Sequence, residues 1–200
     1  DDLTIGFIDV GSSGTNFTFE SNNNDITATQ SLGINFVFNN SVDTINLGTS
    51  HITTTDFRIG DPLNPSAATA SLNGLDAIIT VSSEFLMGGN VSGQVGILTL
   101  TGGPVSLTYV SNPTLVLSNL EIDEGTTVNF FGGQTYTATN ILAQGTIGSL
   151  ITFKSTSSAI TLVSSNPSFS YVDVEDNIAS GSIPFLNPHK PNQPLRMHYG

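Results

Sequence analysis

The sequence predicts an all-β coil of stacked parallel strands, and three observations carry that prediction. Between Thr114 and Asp176, short β-rich runs recur at near-equal intervals, each cut off by Gly, Asn-Pro or Ser/Thr punctuation. Hydrophobic landmarks fall one repeat apart: Val105, Val128, Ile151 and Val172 form one series, and Leu120, Ile141 and Leu162 a second. Their step of roughly 21 to 23 residues lies in the repeat range of solenoids. Two interleaved series with one step imply at least two strands per turn, each stacked on its counterparts above and below. Finally, no stretch holds an apolar spacing of i, i+3, i+4, i+7, so no helix longer than a turn or two is expected.

Taken in order, Leu3–Val10 reads as an opening strand. Gly11–Gly14 reads as a turn, and residues 15–20 as a strand with Phe17 and Phe19 on one face. Three short strands follow, and in the second (34–38) Ile34, Phe36 and Phe38 form the inward set. Phe36, Phe57, Ile78, Leu100 and Leu120 continue the same beat more faintly. Residues 61–76, with two prolines and an Asn-Gly, predict a loop leaving the coil or a boundary within it. Residues 77–81 read as a buried strand that 84–89 continue, and from Gly96 onward strands and Gly-marked corners alternate regularly. In 168–176 the phase breaks, Phe169 and Tyr171 sharing one face and Val172 and Val174 the other, which predicts a corner inside that strand. The prediction is therefore one solenoid domain over 1–181, followed by a Pro-rich extension over 182–200. That extension holds four of the 9 prolines, and proline cannot donate to a ladder, so it is not expected to form another rung. Capping the exposed end of the coil and strand addition onto a neighbouring subunit are its two expected uses, a disordered terminus being the alternative, and Pro184, Phe185, Leu186, Leu195, Met197 and Tyr199 are the contact candidates.

Only 10% of the residues are charged, and the formal net charge is −12. Arg58, Lys154, Lys190 and Arg196 are the fixed cations, too few and too scattered to neutralise phosphates, so a nucleic-acid partner is not expected. The same deficit argues against anionic lipid, and no apolar run is long enough to span a bilayer, so membrane insertion is not expected either. Cysteine is absent, which excludes disulfides and thiolate chemistry. The start at Asp1-Asp2 suits a mature form with its leader removed or a cut from a longer protein, and an extracellular or cell-surface location is expected. Asn16, Asn39 and Asn90 head sequons of the N-glycosylation type.

Ile122, Gly125-Thr126-Thr127-Val128, Phe130, Leu142-Ala143-Gln144-Gly145-Thr146 and Ile151-Thr152-Phe153 follow one another in a fixed phrase, which the strand 170–176 then follows. This pattern resembles the rungs of right-handed parallel β-helix repeat proteins of bacterial cell surfaces. Leu150 stands where those rungs usually carry proline, and the usual Trp-Gly signature is missing. The resemblance, over about 65 residues, implies a right-handed coil that serves display, adhesion or stalk structure without an active site.

Two acidic clusters are the sites where chemistry could be sought: Glu121, Asp123 and Glu124, and Asp173, Glu175 and Asp176. Carboxylates on neighbouring rungs could reach the spacing of a glycosidase pair, but no nucleophile, basic partner or cofactor fingerprint accompanies them. No cofactor is required. Calcium, which accepts several hard oxygens in irregular geometry, is the ion either cluster could take. The expected function is that of a non-catalytic structural or adhesive surface protein, able to self-associate into a fibre or to join a neighbouring surface protein. The alternatives are a carbohydrate-active enzyme or tailspike-like polysaccharide-binding fragment, and a β-sandwich, pilin-like subunit assembled by strand exchange.

Overall fold

The computed structural model describes residues 2–13, 16–30, 33–39, 42–60, 69–110, 113–175, 178–179 and 197–198. They form one 18-stranded sheet wound into a solenoid of about 7 turns, with no helix among the described residues. Every pairing between its strands is parallel and joins one turn to the next, so the antiparallel sandwich alternative falls.

The strands fall into three columns. The first contains β1 (Leu3–Ile5), β4 (Ile26–Ala28), the start of β7 (His51–Ile59) and the middle of β8 (Thr69–Gly88). It continues through the ends of β9 (Asn90–Leu100), β11 (Thr114–Ile122), β13 (Thr135–Gln144) and β15 (Ile160–Ser170). The second takes β2 (Ile8–Ser13), β5 (Ile34–Asn39), the ends of β7 and β8, β10 (Val105–Val110), β12 (Thr127–Phe130), β14 (Ile151–Ser155), β16 (Val172–Glu175) and β18 (Met197–His198). The third is β3 (Thr18–Glu20), β6 (Val42–Asn46), the starts of β8, β9, β11, β13 and β15, and β17 (Ile178–Ala179).

Strict alternation in each strand sends one set of side chains inward, where they fill a continuous column. Ile26, Ile52, Ile79, Leu98, Leu120 and Ile141 stack in register in the first column, all buried. Aromatic rings run along the axis beside them. Phe57 and Phe85 lie parallel at 5.6 Å, while Phe36–Phe57 and Phe130–Phe153 meet edge to face at 6.2 and 5.4 Å. Each corner needs a backbone that turns tightly without a side chain in the way. Gly60, at φ +85°, ends β7 where a Cβ would run into the carbonyl of Gly88.

Several expectations need correction. The opening strand is two, β1 and β2, parted at Gly6-Phe7, and Gly11–Ser13 belong to β2 rather than to a turn. Of the strand expected over 15–20, Thr18–Glu20 is strand and Asn16-Phe17 is not, while residue 15 lies outside the described ones. The loop expected over 61–76 is strand from Thr69 onward, paired residue for residue with Val42–Asn46; residues 61–68 lie outside the described ones. Val128 stacks on Phe153 rather than Ile151, and Ile141 stacks on Pro167, while Leu162 stacks on Tyr136 in another column. Likewise Ile59, not Phe57, is the partner of Phe36, and Phe57 pairs with Phe85. All these slips have one cause. Corners differ in length, so the true step varies while the inward-outward alternation persists.

The break expected in 168–176 is present. Tyr171 has φ +50° between β15 and β16, a corner in left-handed geometry that turns Val172 inward. Of the extension, Pro184, Phe185, Leu186, Leu195 and Tyr199 lie outside the described residues. Met197–His198, expected not to form a rung, pair with Val174–Glu175.

Candidate functional site: a threonine face

The outward residues of the first column define the most regular surface of the molecule. Thr4, Thr27, Thr53, Thr80 and Thr99 stand in one in-register stack across consecutive rungs, although their steps along the sequence are unequal. All are exposed or half-buried, while the residues flanking them in sequence from Thr27 onward, such as Ile52 and Thr54 or Ile79 and Val81, are buried. No hydrogen bond to another described residue engages their hydroxyls. Two residues further on, the same side of the rung carries Thr29, Thr55, Ser82 and Thr101, again exposed or half-buried. Here Thr29 Oγ1 donates to the carbonyl of Ile5 at 3.2 Å and Thr55 Oγ1 to that of Gln30 at 2.7 Å, which fixes those side chains. Four successive rungs thus read T-x-T, T-x-T, T-x-S and T-x-T, with the middle residue facing the core.

The array ends abruptly. Glu121 follows Thr99 in the first stack and Leu142 follows Glu121, while Asp123 donates its N–H to the Leu100 carbonyl and so falls where Thr101 stood one rung earlier. The acidic cluster Glu121, Asp123 and Glu124 is therefore the border of the threonine face. Its members do not converge: among the described residues no three acidic or histidine side chains form a group able to hold a metal ion. Glu124 instead accepts a hydrogen bond from Thr146 Oγ1 at 2.9 Å. In the second cluster Glu175 pairs with Lys154 at 2.7 Å, and one oxygen of Asp173 is buried with no hydrogen-bond partner. Asp176 lies outside the described residues. Of the sequon residues, Asn16 and Asn90 are exposed; Asn16 already accepts the Val42 N–H at 3.2 Å. Asn39 is in β5.

Other polar groups also run along the axis. Asn73 donates to Asn46 at 2.7 Å and Asn46 to Glu20 at 2.5 Å; Asn166 donates to Asn140 at 3.1 Å and Asn140 to Asn119 at 2.7 Å. Where β8 bulges between Gly74 and Ile78, a shallow groove of about 370 Å³ opens between Asn46, Asn73, Gln94, Asp76 and exposed Leu75. An ion triad, Asp56–Arg58–Glu84 at 3.2 and 2.7 Å, clamps β7 to β8. Two features escaped the sequence reading: the threonine stack, and the pairing of Asp56 with Glu84. The repeated T-x-T was the available signal for the first. Comparison with protein-family models, curated proteins and solved structures finds no match.

Proposed function

We propose that this chain is a non-catalytic structural or adhesive protein of the cell exterior, one that works by presenting surface rather than by transforming a substrate. The observation that supports this reading is the outward stacking of neutral hydroxyls and amides on a coil whose columns keep register from rung to rung. A rigid repeat makes each weak contact repeat too, and contacts held in one geometry add without a further ordering cost. Self-association into a fibre fits the same physics, because strand edges at the end of a coil are ready templates for further pairing. A polysaccharide-binding fragment is the second reading, favoured by the amide-lined groove at Asn46, Asn73 and Gln94.

Small-angle scattering combined with a polysaccharide-cleavage assay tests the proposal. A rod that cleaves nothing is the expected result. Cleavage that disappears in Asp173→Asn or Glu175→Gln would overturn it. Deleting residues 182–200 tests the fibre: unchanged light scattering would rule out assembly through the tail.

A further inference from the structure

The threonine face has a regularity that adhesion in general does not require, and its spacing identifies what it could adhere to. Rungs of a parallel coil lie about 4.8 Å apart, and residues i and i+2 of one strand about 6.6 Å apart. Thr27, Thr53, Thr80 and Thr99 therefore form an in-register file of hydroxyls and methyls at the rung repeat, and Thr29, Thr55, Ser82 and Thr101 form a second outward file beside it whose register shifts at Thr55. The rung repeat is close to the shorter oxygen–oxygen repeat on the prism faces of hexagonal ice. We propose that this face binds ice, which rests on the surface-presenting function proposed above and names the surface.

Three features make ice the occupant that suits the face. The first is charge. The chain has 16 acidic residues, yet neither file carries one until Glu121 and Asp123 close them. A charged group orders its own hydration shell and would compete with a neutral crystal, whereas hydroxyls can take the place of lattice waters. The second is pre-organisation. Threonine is β-branched and stiff at χ1, and Thr29 and Thr55 are further held by bonds to carbonyls of the preceding rung. The third is repetition. Exchanging a hydroxyl's bond to liquid water for one to ice gains little, so only a lattice of many groups, already rigid, accumulates affinity. The first-stack hydroxyls, which bond to no other described residue, are available for that exchange. The third outward position along these rungs carries Asp25, exposed His51, and half-buried Ile78 and Ile97, so the apolar part of this file lies on the Thr80 and Thr99 rungs.

Incorporation of the purified chain into a slowly growing ice hemisphere, together with thermal hysteresis, tests the proposal. The protein is expected to enter the ice and to depress freezing below melting. Thr53→Tyr and Thr80→Tyr, bulky changes in the middle of the first file, should each lower the hysteresis about tenfold or more. Thr137→Tyr, an exposed change on another column, should leave it within about twofold. Circular dichroism verifies folding, and if a tyrosine variant does not fold, Thr53→Ser, which removes only the methyl, should still lower the hysteresis severalfold. Exclusion of the folded wild type from ice would overturn the proposal, as would equal losses in Thr53→Tyr and Thr137→Tyr. Adsorption to microcrystalline cellulose without adsorption to ice would give the face to polysaccharide. A dimer abolished by Thr53→Tyr would give it to a second copy. In all these cases a scattering rod without cleavage activity would leave the surface-presenting function standing, so the two proposals fail separately.

Discussion

From Asp9 to Glu84, neighbouring rungs are tied by polar side chains reaching across one turn. Asn16, Asn23 and Asp25 accept the N–H groups of Val42, Thr49 and His51, and buried Asp43 accepts that of Phe17. From Val105 to Lys154 the ties are mostly rings and amides: Tyr109 on Tyr136 at 4.5 Å, Phe130 on Phe153, and Asn140 on Asn119. In the first column the step shortens after β8 as far as Ile141, and lengthens again to Pro167. The longer turns, as from Thr27 to Thr53 to Thr80, add corner backbone whose N–H groups would be orphaned, and the Asn and Asp side chains satisfy them. The shorter turns, as from Leu98 to Leu120 to Ile141, leave less to satisfy, and packing does the joining. Rings stack through both halves, and the first half adds side-chain capping of its corner backbone.

Removing a ring should show the largest effect. Phe57→Ala leaves a cavity between Phe36 and Phe85, and a loss of about 3–5 kcal/mol in urea unfolding is expected. Phe153→Ala should cost a similar amount, since rings line the core of both halves; a cost confined to one half would break the comparison there. Alkaline pH should act on the second half. Burial raises both tyrosine hydroxyls well above their ordinary pKa of 10.0, first through desolvation. The unfolded chain releases these protons above pH 10 and the folded one keeps them, so stability is intact below that pH and falls as pH rises, by about 1.4 kcal/mol per unit for each group. Denaturant titrations at pH 9 to 11 should show the fall, and Tyr109→Phe should reduce it. At neutral pH that variant should cost nothing, because the Tyr109 hydroxyl is buried without a partner. Tyr136→Phe, in contrast, loses bonds to the Leu107 carbonyl and the Phe131 N–H.

The ion pairs give the smallest and sharpest contrast. Arg58 stands between Asp56, whose side chain is 5% exposed, and Glu84. Arg58→Met strands a nearly buried carboxylate and should cost about 1–3 kcal/mol, the burial being only partial. Lys154 and Glu175 are 40% and 36% exposed, so Lys154→Met should cost about 0–1 kcal/mol, an effect erased by molar salt. Equal costs would mean that burial does not separate these pairs.

These differences also explain what could be read in advance. Parallel coiling was legible because inward residues alternate with outward ones in every rung, whatever its length. Register was not, since a beat of constant length aligns Leu120 with Ile141 correctly but falls short of the longer step from Thr53 to Thr80. The threonine stack was hidden for the same reason: its members are regular in space and irregular in sequence. Asp56 and Glu84 come opposite each other only because β7 slips register between Thr54 and Asp56, which no local pattern announces. The acidic clusters were conspicuous in sequence because charge is scarce here, and among the described residues no three such groups gather to hold a metal ion.

Since each rung pairs only with the turn before and the turn after it, the molecule is wired like a string of beads, with no strand pairing that skips a turn among the described residues. Disturbance at Thr27 can reach Thr99 only by passing through Thr53 and Thr80. The modular consequence is that length is adjustable in whole units. Duplicating the segment from Thr27 to Ile52 would insert one more threonine into the stack, while every other rung kept the neighbours it already has.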